Sequence, residues 1–243
     1  MPEERMLLAI VCRNPDVGKV KTRLIPALGE DGARALYRAF LQDLATRFSG
    51  QPYDLIWAHT PEGGAPPPTL IAGSTLAQEG PDLGHRLLHI FRQAITAGYG
   101  RVVVASSDVP HLPSDVVDAA FTALAGHDVV LAPSEDGGYH LVGMRAPHDI
   151  FTMVPMSTPS VFTDTCRVVA DQALHHLILA DDFDVDVPED LPRLGCRLAE
   201  DPTLRASHTA RALGLQLEAP FPSSLAVGSP LPGDAAPEHQ PRQ

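Results

Sequence analysis

MLLAIVCRNPDVGKVKTRLIP, residues 6–26, opens on an unbroken apolar run from Met6 to Cys12 and then turns polar and basic. An apolar run of strand length offers no polar side to water, so it reads as a strand buried on both faces. Such strands belong to parallel sheets whose two faces are covered by helices. Pro15, Gly18 and Pro26 mark the following stretch as a loop. That loop leaves the carboxyl end of the first strand, where ligands of open α/β sheets bind.

The rest of the chain repeats the rhythm. Residues 29–48 predict an amphipathic helix, with Ala33, Leu36, Tyr37, Phe40, Leu41, Leu44 and Phe48 on one side. Residues 53–59 predict a short strand, and PEGGAPPP (61–68) a surface loop. Helices are expected over 82–97, 113–125 and 158–173, with another short one opening at Pro188. Strands are expected over 101–106, 128–132, 139–144 and 175–180. The alternation predicts one α/β domain over residues 1–218: a Rossmann-like, mostly parallel sheet with helices on both faces and right-handed crossovers. From residue 219 to 243 proline recurs among Ser, Gly and Ala, which predicts a mobile tail without a catalytic role.

Charge narrows the partners. The chain has 243 residues and 30 acidic against 18 basic side chains, for a formal charge of −12. That balance argues against nucleic acid and anionic membrane as partners, both of which need positive patches. Three scattered cysteines (Cys12, Cys166, Cys196) suit neither a disulfide scaffold nor a zinc site. With no signal-peptide pattern and no long apolar run, a cytoplasmic protein is expected. A homodimer is compatible with this reading.

In an acidic chain, Arg13, Lys19, Lys21 and Arg23 stand out within eleven residues. With Gly18 allowing close backbone approach, they form a candidate phosphate site, the alternative being a solvated basic loop. The pattern is neither a P-loop nor a dinucleotide fingerprint. Asp108 follows RVVVASS at the end of an expected central strand, where a carboxylate can hold a divalent metal or simply form a turn. In PSEDGGYH (133–140), Asp136, Gly137 and Gly138 read as a sharp turn open to substrate. Asp182, Asp184 and Asp186 fall on one side if DDFDVD (181–186) is extended, as metal or polar contacts or as the cap of a helix. Ser157 or Thr158 is a plausible N-cap and, secondarily, substrate-lining.

PDVGKVKTRLIPALG, SSDVPHLP, APSEDGGYHLVGM, MSTPSVFTDT and DFDVDVPEDL together resemble a family of small bacterial transferases of the nucleotide-diphosphate-sugar transferase (glycosyltransferase A) fold. Its members are labelled glycosyltransferases of arsenosugar biosynthesis, and it is distantly similar to phospholactate and molybdenum-cofactor guanylyltransferases. The resemblance covers roughly residues 6–200. It implies Mg²⁺- or Mn²⁺-dependent transfer from a nucleotide or nucleotide-sugar to a small-molecule acceptor. Lys19, Lys21 and Arg23 would contact phosphates, and Asp108, Asp184 and Asp186 the metal. Asp136 would stand at the acceptor side, as general base if the reaction inverts, or at a second metal position, while Lys21 would steady the departing diphosphate. Glycosyl transfer is the leading reading. Nucleotidyl transfer with pyrophosphate release and a non-catalytic nucleotide-binding module are the alternatives.

Overall fold

The computed structural model describes residues 4–204 and 207–215, so the expected tail over 219–243 lies outside the described residues. Among the described residues, seven strands form one sheet: β1 (Met6–Cys12), β2 (Asp54–His59), β3 (Ser74–Ala77), β4 (Arg101–Ser106), β5 (Val129–Pro133), β6 (Tyr139–Met144) and β7 (His176–Ile178). Their order across the sheet is β3-β2-β1-β4-β6-β5-β7. Every pairing is parallel except those of β6, which runs antiparallel to both β4 and β5. The reason is local. The link from Pro133 to Tyr139 is too short for a crossover, and Gly137, at φ 93°, turns it into a hairpin.

Among the described residues, six α-helices cover the sheet: α1 (Ile25–Phe48), α2 (Leu83–Thr96), α3 (Ser114–Ala123), α4 (Val161–Asp171), α5 (Asp190–Glu200) and α6 (His208–Ala212). Alternation along β1 divides the core. Leu8, Ile10 and Cys12 join the cluster with α1, α3 and α5, whereas Leu7 and Ala9 join the one with α2 and α4. Val103 and Ala105 of β4 likewise face one cluster, and Val102 and Val104 the other. Both faces are therefore buried, as the apolar run at 6–12 requires.

Several boundaries differ from expectation. Helix α1 starts at Ile25, with Pro26 in its first turn and a break at Gly29, whose φ is 72°. Pro113 is the extended N-cap of α3, one residue outside the helix. Helix α4 starts at Val161 after the cap residue Ser160, so neither Ser157 nor Thr158 caps it. Left-handed Ser157 (φ 64°) turns the chain ahead of it. Strand β3 and helix α6 were not anticipated: the first is four residues long and mostly exposed, and the second spans five residues. Asp43 of α1 secures α6 by accepting from the backbone N–H groups of His208 (2.7 Å) and Thr209 (2.8 Å). No helix among the described residues is long and apolar enough to cross a membrane.

Candidate active site

A cleft of about 490 Å³ opens where β1 and β4 end. The carboxyl ends of both strands supply its floor, so the basic loop and Asp108 face one space, as the sheet order requires. Arg13, Lys19, Lys21 and Arg23 all line it, together with Asp108, Asp186 and Ser157. Gly18 lines an adjoining chamber of about 380 Å³.

Lys21 is the most constrained of the cations. Its Nζ lies 2.7 Å from Asp108 Oδ1 and 2.7 Å from Asp186 Oδ1, and its side chain is only 5% exposed. Burial pulls the ammonium's pKa down, but the two carboxylates outweigh it and hold the pKa above the ordinary lysine value. The backbone of Lys21 is left-handed (φ 48°), and its carbonyl accepts from Leu24 to close a tight turn. Lys21, Ser157 and Ala173 are the non-glycine residues with positive φ among the described residues, and the first two line this cleft. Such conformations cost about 1–3 kcal/mol each and persist where surroundings impose them, as functional sites often do.

The acidic segment 181–186 is laced to the strand ends. Asp182 N–H donates to Pro133 O and Glu135 N–H to Asp182 O, both at 3.2 Å. Val185 N–H donates to Asp108 O at 2.9 Å. Asp190 then accepts from the N–H groups of Asp186 and Val187, both at 2.8 Å, which fixes Asp186 beside Lys21. Phe183 and Val185 are buried while Asp184 and Asp186 are only partly so, which explains the alternation in the sequence. Burial first, and then the charges of Asp108, Asp136 and Asp186, push the Asp184 carboxyl up to about 7. Asp182 departs from this group: it meets His111 Nε2 (3.1 Å) and Arg197 (3.2 Å). Among the described residues, no three His, Cys, Asp or Glu side chains are grouped as a metal site.

Asp136, Gly137, Gly138 and Thr158 do not line the cleft. Asp136 Oδ1 accepts from Gly138 N–H (2.9 Å) and shapes the hairpin. A Cβ on Gly137 would lie 2.0 Å from the carbonyl oxygen of Pro159, so this glycine lets hairpin and loop pack together. Gly137 O also accepts from Phe162 N–H (2.9 Å). Thr158 Oγ1 donates to Pro155 O at 3.0 Å.

Other residues of the site had no signal in the motifs. Tyr37 Oη accepts from Arg13 N–H (3.0 Å) and lies 2.8 Å from Ser107 Oγ, joining the ends of β1 and β4 beneath the cleft. Asn14 Nδ2 donates to Gly63 O and Ala65 O, both at 2.9 Å, and staples the basic loop to the 61–68 loop. Burial, helped by the charge of Asp108, pushes the Cys12 thiol up to about 12 and keeps it protonated. Arg86 of α2 lines both the cleft and the adjoining chamber.

A family model described as "Uncharacterized protein conserved in bacteria (DUF2064)" matches residues 49–158. A crystal structure from Desulfovibrio desulfuricans G20, provisionally designated a nucleotide-diphospho-sugar transferase, is 33% identical, with a TM-score of 0.80. The match covers 87% of this chain and 95% of that one. The chain belongs to the DUF2064 family. Within the curated relatives, 3-phospho-D-glycerate guanylyltransferase of Phenylobacterium zucineum (strain HLK1) is 31% identical over 135 residues. That match takes in 52% of this chain and spans 61% of the relative's length. A cytidylyltransferase from Leptospira borgpetersenii serovar Hardjo-bovis (strain JB197) shares the fold at 12% identity and a TM-score of 0.53, over 88% of this chain and 94% of its own. The relatives of this family are thus named as transferases that use nucleotides, and the α/β fold expected from the sequence is theirs.

Proposed function

We propose that the chain is a nucleotidyltransferase: the phosphate of a phosphorylated small molecule attacks the α-phosphorus of a nucleoside triphosphate, and pyrophosphate leaves. The observation that carries this reading is the division of labour among the cations. Lys21 is spent on Asp108 and Asp186, whereas Arg13, Lys19 and Arg23 line the same cleft and form no ion pair among the described residues. Three such cations suit the charge of a triphosphate. The likeness to 3-phospho-D-glycerate guanylyltransferase supports the same reaction and points to GTP. Glycosyl transfer from a nucleotide-diphosphate-sugar is the second reading, favoured by the likeness to the Desulfovibrio protein across most of the chain.

The donor set suits Mg²⁺ or Mn²⁺. Asp108 and Asp186 already direct one oxygen each at a single cation, the Lys21 ammonium. These metals bind through one or two carboxylates plus substrate phosphates. Asp108 and Asp186, with Asp184 beside them, would hold the ion, which would draw charge from the departing pyrophosphate. Lys21 keeps the two carboxylates together, and the basic loop orients the triphosphate.

Pyrophosphate release tests the reaction. GTP with 3-phospho-D-glycerate should release pyrophosphate in the presence of Mn²⁺. Release of a nucleoside diphosphate from nucleotide-sugars instead would select glycosyl transfer. In calorimetry, Asp108→Asn should lower the Mn²⁺-dependent affinity for GTP by about tenfold or more, the effect of losing one charged contact. An unchanged Mn²⁺-dependent affinity would make Asp108 a turn former only.

A further inference from the structure

The adjoining chamber differs in charge from the cleft it opens into. Arg13, Lys19 and Arg86 stand on the wall that the two spaces share, and among the described residues the only carboxylate lining the chamber is that of Glu62. Arg86 is held on α2 with its Nε donating to Gly80 O (3.2 Å) and its Nη2 to Glu62 Oε1 (3.2 Å). Its Nη1 makes no hydrogen bond among the described residues. The side chain of Arg86 is 22% exposed, against 73% for that of Glu62. A fixed guanidinium thus meets a carboxylate that water already surrounds, and exposed pairs of this kind exchange easily. The backbone around Glu62 stays in place, because Asn14 holds Gly63 and Ala65, and Thr60 Oγ1 donates to Glu62 O (3.2 Å). Only the Glu62 side chain has to turn for the seat to open.

We propose that Arg86 is the seat for a carboxylate of the second substrate, and that the Glu62 carboxylate occupies this seat until the substrate displaces it. The proposal rests on the nucleotidyl-transfer reading and narrows it: the acceptor carries a carboxylate as well as the phosphate that attacks. A guanidinium binds a carboxylate through two parallel N–H bonds, a geometry that an amide cannot reproduce. The substrate's phosphate then points toward the Asp108 end of the cleft, away from Arg86.

The test uses the full chain with GTP and Mn²⁺, and two probes: 3-phospho-D-glycerate, and glycerol 3-phosphate, which has the phosphate but no carboxylate. Binding of each is read by calorimetry, and KM by pyrophosphate release. Arg86→Gln should weaken 3-phospho-D-glycerate by about 10–100-fold, the range for a lost charged hydrogen-bonding partner. It should leave glycerol 3-phosphate and GTP within about twofold. Glu62→Gln removes the competing carboxylate and should tighten 3-phospho-D-glycerate. A merely structural ion pair would move both variants in the same direction, and that result overturns the proposal. Equal loss of both probes in Arg86→Gln overturns it too, because Arg86 would then read phosphate. If the opposite shifts appear in calorimetry while no pyrophosphate is released, the carboxylate seat stands and the reaction assigned above fails.

Discussion

Tyr37 shows how much one oxygen can determine. Arg13 N–H can only donate, so Tyr37 Oη accepts from it, and the remaining neighbour for the phenolic proton is Ser107 Oγ at 2.8 Å. Reversing that bond would leave a buried O–H without an acceptor, which costs about 1–3 kcal/mol. Ser107 therefore accepts from Tyr37 and keeps its own proton for whatever enters the cleft. Tyr37→Phe should lower stability by about 1–3 kcal/mol in urea unfolding and also weaken nucleotide binding. A variant that loses stability but binds nucleotide as before would confine Tyr37 to the scaffold. Periodicity places Tyr37 correctly on the buried side of its helix, but the partners of its hydroxyl lie 24 and 70 residues away, beyond any motif. Lys21 teaches a related lesson. Its residue type and its basic neighbours mark a cation in a loop, whereas its pairing with Asp108 and Asp186 depends on a fold that joins positions 165 residues apart.

At the scale of elements, the hairpin between β5 and β6 and the loop before α4 behave as one piece. Gly137 makes this possible on two counts: its φ of 93° is outside the usual range of other residues, and Pro159 O leaves no room for a Cβ. Gly137→Ala should cost about 1–3 kcal/mol for the backbone conformation alone, and more for the clash. It should also displace Ser157 in the cleft, so a loss of activity larger than the fractional loss of folded protein is expected in parallel assays of turnover and melting. Wild-type stability in that variant would show that the loop can move aside freely. The strands and long helices were legible because burial on one face or two leaves a period in the sequence. β3 and α6 were not, because an exposed four-residue strand and a helix secured by Asp43 carry no such period. The antiparallel course of β6 was implicit in the short DGG turn. A metal or acceptor-side role for Asp136 and a substrate-lining role for Gly137 and Gly138 were read from the same residues, whose contacts make that turn.

For the whole molecule, both hydrophobic clusters draw on the same strands, since neighbouring residues of β1 and β4 point to opposite faces. Neither layer can melt and leave the other a sheet to pack on, so unfolding should be a single transition. Trp57, the single tryptophan, is fully buried on β2 and reports it directly. Its fluorescence and the far-UV circular dichroism should change at the same urea concentration. Separate midpoints would mean that the two layers unfold independently. The outer margins of the sheet carry one more consequence. β3 offers four residues to any neighbouring chain and β7 three. Rows this short give a stranger's backbone too few rungs to zip onto, which is how many natural sheets escape growing into fibres. A second copy joining this one would have to meet it through helices and side chains, and the sheet would end where the chain itself ends it.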